Sequence, residues 1–248
     1  MGVDVSRRAL QLAKYNMRSV QTGQQYVDKG NVRFIQADVL KDPFDRDGSV
    51  MSFRSALEYK GLPPSWDILI SNPPYISPSA YWKTTTRSVR GFEPKLALVP
   101  PSKTKQSDTD QGDMFYPRLL EIARDVKAKI VLVEVADIDQ ARRVAQRAQD
   151  LDIFDGVEIW RDQPDASANK SRGKNGVTIV GEGNARSVLC WRGDGAVWLG
   201  KSTKALKAED ASPVVSHSSR RPIRKHLSKG FQSLSLQMQS MPHQTLSQ

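Results

Sequence analysis

Trp66-Asp67-Ile68-Leu69-Ile70-Ser71-Asn72-Pro73-Pro74-Tyr75 is the stretch on which the fold turns. Its apolar middle is continuous, as a strand of a parallel sheet covered on both faces must be. The two prolines then end the strand, because neither offers an N–H to a ladder and each fixes its own φ. The carboxyl ends of strands in such a sheet open on the ligand crevice, so Asn72, Pro73, Pro74 and Tyr75 are expected to look into a pocket. With two donors removed, the turn presents carbonyl oxygens as its exposed polar groups. A rigid set of acceptors suits an amide nitrogen, whose delocalised lone pair is freed when its hydrogens are gripped. The Asn72 side-chain oxygen and the Pro73 carbonyl are the candidate grips, and the Tyr75 ring can lie against the amide plane. An Asn-Pro turn after a strand is also a common structural device, and the residues alone leave both readings open.

Outward from this stretch the chain alternates strands with helices. Residues 2–5 read as the end of a buried strand, and Ser6 as the N-cap of a helix striped by Leu10, Ala13, Met17 and Val20. Val32 to Gln36 is a second strand, followed by a turn containing Asp38. Beyond Tyr75 a Pro/Ser/Thr-rich stretch runs to about Gly112, too long for an ordinary connection and therefore expected to be functional. A helix with Leu119, Leu120, Ala123 and Val126 on one face precedes the strand Ala128 to Val135. Asp137 to Asp150 is a further helix, striped by Ile138, Ala141, Val144, Ala145 and Ala148. Val157 to Trp160 begins a strand, and Val177 to Val180 with Ser187 to Trp191 are expected to form a closing antiparallel pair. This order predicts an α/β fold with a mostly parallel sheet. The fold should occupy residues 1–200, with a flexible Lys/Asn/Gly-rich linker at 163–176 and a disordered basic tail at 201–248.

Composition narrows the chemistry. The 248 residues carry a formal charge of +10, but from Lys201 onward eight basic residues face only Glu209 and Asp210, so more than half of that charge lies in the tail. The basic balance is therefore weak support for a nucleic-acid groove, and the run Arg220 to Lys225 reads as a solvated charge cluster. All three histidines (His217, His226, His243) are in the tail, and Cys190 is the one cysteine. A folded region without histidine cannot run a Ser-His-Asp or Cys-His mechanism, and no metal site is expected. Chemistry falls to carboxylates, amides, backbone and aromatics. No apolar run reaches the roughly 20 residues that span a bilayer. Met1-Gly2-Val3-Asp4-Val5-Ser6 fits a short myristoylation pattern, but reads better as a strand entering a helix cap.

Two motifs together carry a family resemblance. Asn72-Pro73-Pro74-Tyr75 resembles the catalytic motif of amino-group methyltransferases, and Val89-Arg90-Gly91-Phe92-Glu93-Pro94-Lys95-Leu96-Ala97-Leu98 resembles the segment that follows it in the HemK/PrmC family, with one glycine inserted. The likeness runs from Gly2 to about Arg192 in the order of every element. It implies a Rossmann-like S-adenosylmethionine-dependent methyltransferase fold and transfer of a methyl group to the side-chain nitrogen of a glutamine, in the Gly-Gly-Gln loop of a peptide chain release factor. By the same likeness Asp4 would accept the ribose hydroxyls of S-adenosylmethionine, Asp38 would meet the adenine amino group beside an apolar wall from Val39, and Asn72 would touch both cofactor and substrate. Tyr75 would face the sulfonium. Phe92, Glu93 and Pro94 would order the substrate loop. Asp4 and Asp38 also read as turn residues after strands, and Glu134 as either a pocket residue or an ion-pair or capping residue.

The chain departs from the family in its Lys/Gly-rich linker and basic tail, which have no counterpart in compact members, and more seriously at its front. Members begin with a small helical domain and a strand carrying a D-x-G-x-G-x-G loop, and neither stands before Gly2. The expectation is a fold lacking its first strand and Gly-rich loop, with weak or no binding of the methyl donor. Two other readings compete with the glutamine enzyme: a nucleic-acid adenine N6-methyltransferase, and a non-catalytic remnant that binds a partner but not the donor. The branch of the family implies a mitochondrial protein, or a cytoplasmic one in a bacterium, acting as a monomer away from membranes and without a nucleic-acid partner.

Overall fold

The computed structural model describes residues 1–23, 32–42, 44, 49–102, 106–165, 171–172 and 176–201. The tail beyond residue 201 and most of the expected linker lie outside the described residues. The chain divides into two units, residues 1–66 and 67–248.

In the first unit, β1 (Gly2–Asp4) lies parallel to β2 (Phe34–Gln36), with Asp4 opposite Gln36. Helix α1 (Arg7–Gly23) starts where expected, since the Ser6 hydroxyl accepts the Ala9 N–H at 3.3 Å. Its stripe is buried at the N-terminal end, where Leu10 is 7% exposed, and is lost by Val20, which is 59% exposed. Helix α2 (Phe53–Tyr59) buries Phe53, Ala56 and Leu57, and its cap Ser52 bridges Asp38 in parallel fashion.

The second unit holds a six-stranded sheet in the order β3-β4-β8-β5-β7-β6. Strand β3 (Ile68–Ser71) is parallel to β4 (Ile130–Glu134). Between them the Pro/Ser/Thr-rich stretch folds into short helices: α3 (Pro78–Thr84), α4 (Arg87–Phe92), a 3-10 turn at Lys95–Ala97 and α5 (Asp108–Gly112), followed by α6 (Phe115–Asp125). Helix α7 (Ile138–Asp150) returns from β4 and is capped by Asp137, whose carboxylate accepts the Gln140 N–H at 2.8 Å. Strands β5 (Gly156–Gln163), β6 (Ser171–Arg172), β7 (Thr178–Val180) and β8 (Glu182–Trp191) complete the sheet, and α8 (Asp194–Trp198) follows. The core is the one expected from the stripes: Leu119, Leu120, Ala123 and Val126 of the α6 region and Ala141, Val144, Ala145 and Ala148 of α7 are all buried, against a β4 whose Ile130 and Val131 are fully covered.

Three expectations are corrected. The sheet is mixed, because β8 runs antiparallel to both its neighbours. Strand β3 is an edge strand with Ile70 49% exposed, although its apolar run reads as buried on both faces. An apolar run reports affinity for a sheet and does not reveal which edge is paired. Strands β7 and β8 do not pair with each other. They take opposite edges of β5, β7 in parallel and β8 antiparallel, so the chain crosses over the end of β5. Gly181 makes that crossing at φ +88°, where a Cβ would collide with the backbone of Gln163 and Pro164. Of the expected linker, Gln163 ends β5 and Ser171–Arg172 form β6; residues 166–170 and 173–175 lie outside the described residues.

Candidate functional site

The end of β3 delivers the acceptor loop. Asn72 is exposed, Pro73 buried, and Pro74 and Tyr75 half-buried. Among the described residues the Asn72 side chain makes no hydrogen bond, so its oxygen is open to a ligand. Tyr75 is committed inward. Its hydroxyl donates to Glu134 Oε1 at 2.7 Å, and its backbone carbonyl accepts from the Gln140 carboxamide at 3.2 Å.

Behind the loop lies a polar cluster that sequence reasoning missed except for Glu134. Gln140 is 3% exposed; its Nε2 lies 3.1 Å from Asp113 Oδ1 and 3.3 Å from the Gly112 carbonyl, and its Oε1 accepts the Ala136 N–H at 2.8 Å. The Tyr116 hydroxyl, fully buried, reaches the Glu134 carbonyl at 2.9 Å and Gln140 Oε1 at 3.1 Å. Asp113 forms a two-pronged ion pair with Arg143, at 2.7 and 3.0 Å. On the other side of Glu134, Arg186 pairs with Asp162 at 2.7 Å, and its charge is felt at Tyr75. The cue for Gln140 was present: it stands on the apolar face of α7 next to Ala141 and Val144, where an amide must have partners. The partners themselves, up to 65 residues away in the chain, had no local signature.

Burial, then the Glu134 charge and hydrogen bond, push the Tyr75 hydroxyl well above the ordinary value of 10.0, and burial with the Asp113 charge does the same for Tyr116. Both phenols therefore stay protonated as donors. A tyrosine whose folded pKa lies above its unfolded one adds stability that is fully present below pH 10 and is lost as pH climbs towards the folded value. The melting temperature is accordingly expected to hold up to about pH 10 and to drop above it, with two of the six tyrosines ionising only on unfolding. Absorbance of phenolate during alkaline titration checks this; six tyrosines ionising together while the chain remains folded would contradict it.

Of the expected cofactor residues, Asp4, Asp38 and Val39 sit in the first unit and Asn72 in the second. Asp4 ends β1, and one of its oxygens accepts the Ser6 N–H at 2.6 Å. Asp38 follows β2, and one of its oxygens accepts the Leu40 N–H at 2.9 Å. The turn role is thus present in both, and in each carboxylate the second oxygen makes no hydrogen bond among the described residues. Val39 is half-buried in the turn beside Asp38. Two adjacent parallel strands ending in half-satisfied carboxylates fit the hydroxyls and amino group of an adenosine. Phe92, Glu93 and Pro94 are all exposed, Phe92 at 90%. Phe92 is therefore no part of the core. Among the described residues there is no group of His, Cys, Asp and Glu that would hold a metal ion, and no helix long and apolar enough to cross a membrane.

Comparison with known proteins finds similarity to methyltransferases. More particularly, the chain is related in sequence to release factor glutamine methyltransferases. It is 38% identical over 99 residues to the release factor glutamine methyltransferase of Chlorobaculum tepidum, covering 40% of this chain and 26% of that protein. It is 32% identical over 160 residues to the one of Bacillus subtilis, covering 63% and 43%. It is 30% identical over 158 residues, covering 63% and 46%, to the Schizosaccharomyces pombe protein named "Probable MRF1 mitochondrial N(5)-glutamine methyltransferase". The chain spans less than half the length of each of these relatives. No protein-family model matches it.

Proposed function

We propose that the chain transfers a methyl group from S-adenosylmethionine to the side-chain amide nitrogen of a glutamine in a peptide chain release factor. The observation that carries this reading is the Asn72-Pro73-Pro74-Tyr75 loop, whose Asn72 oxygen is free and exposed at a strand end while its Tyr75 is held from behind by Glu134 and Gln140. An amide nitrogen is a poor nucleophile because its lone pair is shared with the carbonyl. Acceptors at the Asn72 side chain and the Pro73 carbonyl hold its two hydrogens, orient the lone pair and stabilise positive charge as it develops on nitrogen. Two adjacent prolines keep those acceptors from rotating away. Asp4 would hold the ribose and Asp38 with Val39 the adenine of the donor, which supplies an electrophilic methyl group when bound.

Release factor as substrate and the Gly-Gly-Gln setting follow the family likeness, and so does the compartment: mitochondrial in a eukaryote, cytoplasmic in a bacterium. The experiment is incubation with methyl-labelled S-adenosylmethionine and either a release factor or DNA, followed by mass spectrometry. Label on the release-factor glutamine is the expected result. Label on adenine alone would replace this reading with the nucleic-acid one, and label on neither would leave the chain a non-catalytic relative.

A further inference from the structure

The helical excursion between Ile76 and Leu98, which includes the Phe92-Glu93-Pro94 segment, carries an exposed apolar surface beyond the residues singled out for the substrate. Its ends are pinned together by the Ile76 N–H donating to the Leu98 carbonyl at 2.9 Å, and its base is tied to α5 by Asp108, which accepts from the Ser79 N–H and hydroxyl at 2.8 and 2.7 Å. It is therefore a preset shape rooted in the residue that follows Tyr75. Three of its large apolar side chains face outward: Trp82 at 66%, Phe92 at 90% and Leu96 at 67% exposure. Side chains of this size gathered on one short excursion are uncommon on a surface that meets only water. Leu96 further lines a shallow groove of about 330 Å3 with Pro78, Lys95, Val99, Pro100 and Gln111.

The charges around this surface give its partner a sign. Arg90 stands 5.5 Å from the Trp82 ring centre and donates to the Trp82 carbonyl at 2.9 Å, and Lys95 stands 5.4 and 5.9 Å from the Tyr81 and Trp82 rings. Both cations rest on aromatic rings and, among the described residues, neither has a carboxylate partner. A ring takes little of a cation's capacity for hydrogen bonds. An aromatic patch edged by such cations matches the composition of protein-binding surfaces, which are rich in Trp, Phe and Arg.

We infer that Trp82, Leu96 and the adjoining groove, edged by Arg90 and Lys95, form a docking surface for an apolar segment with acidic flanks on the substrate protein, next to the glutamine that enters the Asn72 loop. This rests on the function proposed above and deepens it: the chain reads the folded protein around the glutamine, and the loop reads the amide.

The test compares the unaltered chain with a Trp82→Ala/Leu96→Ser double variant and with Lys95→Glu. Binding of an intact release factor is measured by calorimetry without donor, and methylation is measured on both the intact factor and a short peptide containing Gly-Gly-Gln. The expected result is at least tenfold weaker binding and a matching rise in KM for the intact factor with either variant, with kcat and KM for the peptide unchanged. Binding by the unaltered chain should also weaken with added salt, and that dependence should shrink in Lys95→Glu. Equal losses on peptide and protein would place these residues in the chemistry and overturn docking. Undiminished binding by the variants would overturn it as well, as would self-association of the unaltered chain that the double variant abolishes, because a second copy would then be the occupant. Failure of the unaltered chain to bind any release factor would remove the proposed substrate, and the docking with it.

Discussion

Asn72→Ala is expected to lower kcat about a hundredfold or more in the glutamine methylation assay, with a much smaller change in KM. The side chain is exposed and makes no hydrogen bond among the described residues, so its removal leaves nothing buried unpaired and should shift folding stability by less than about 0.5 kcal/mol. Its oxygen acts when the amide nitrogen begins to pyramidalise and its N–H bonds become more acidic, a change absent from the resting substrate. An interaction that strengthens only at that point appears in kcat. Asn72→Asp is a useful companion, because it keeps an acceptor while adding charge and losing the amide. A loss confined to KM in the alanine variant would mean that Asn72 binds the ground state and that the acceptor argument is wrong.

Gln140→Leu is expected to cost about 3 kcal/mol or more of stability. Leucine fits the volume but has nothing to offer the Ala136 N–H or the carbonyls of Tyr75 and Gly112, and leaves Asp113 with Arg143 alone. Buried groups orphaned in this way each cost on the order of 1 to 3 kcal/mol, and partial relaxation around α7 recovers some of the sum. Because one of the lost bonds fixes the Tyr75 carbonyl, whatever folded variant remains should also show reduced kcat. Urea denaturation checks the first part and steady-state kinetics on the folded fraction the second. A stability change below about 1 kcal/mol would show that the carboxamide is solvated or replaceable, contrary to its burial.

Local signals account for what was legible in the chain. The cap Ser6, the stripes of α6 and α7, and the position of Asn72 at a strand end all depend on residues within a turn or two of one another, and all appear where expected. What escaped reading depends on distant partners. The apolar run of β3 is the same whether the strand is central or at an edge, so only the assembled sheet reveals that Ile70 is half exposed. Ser187 to Trp191 reads as a strand, but the insertion of β8 between β4 and β5 depends on the tight crossing at Gly181 and on pairing with strands far away in the chain. Asn72 and Tyr75 stand out as candidates through proline chemistry, whereas Tyr116, Asp113 and Gln140 are joined by bonds among residues distant in the chain.

The central place of β8 also governs how the protein can be made. Among the described residues it comes last of the strands in chain order, yet it joins the β3-β4 pair to the β5-β7-β6 group. Until residue 191 has left the ribosome, the second unit consists of strand groups with open facing edges, and Arg186 is not yet in place beside Glu134. Closing that gap brings together segments more than fifty residues apart, a slow kind of step, and one that the emerging N-terminal portion cannot take early. The placement of Arg186 beside Glu134 thereby waits for β8, and a nascent chain halted before Trp191 would expose apolar strand edges of the kind that chaperones bind.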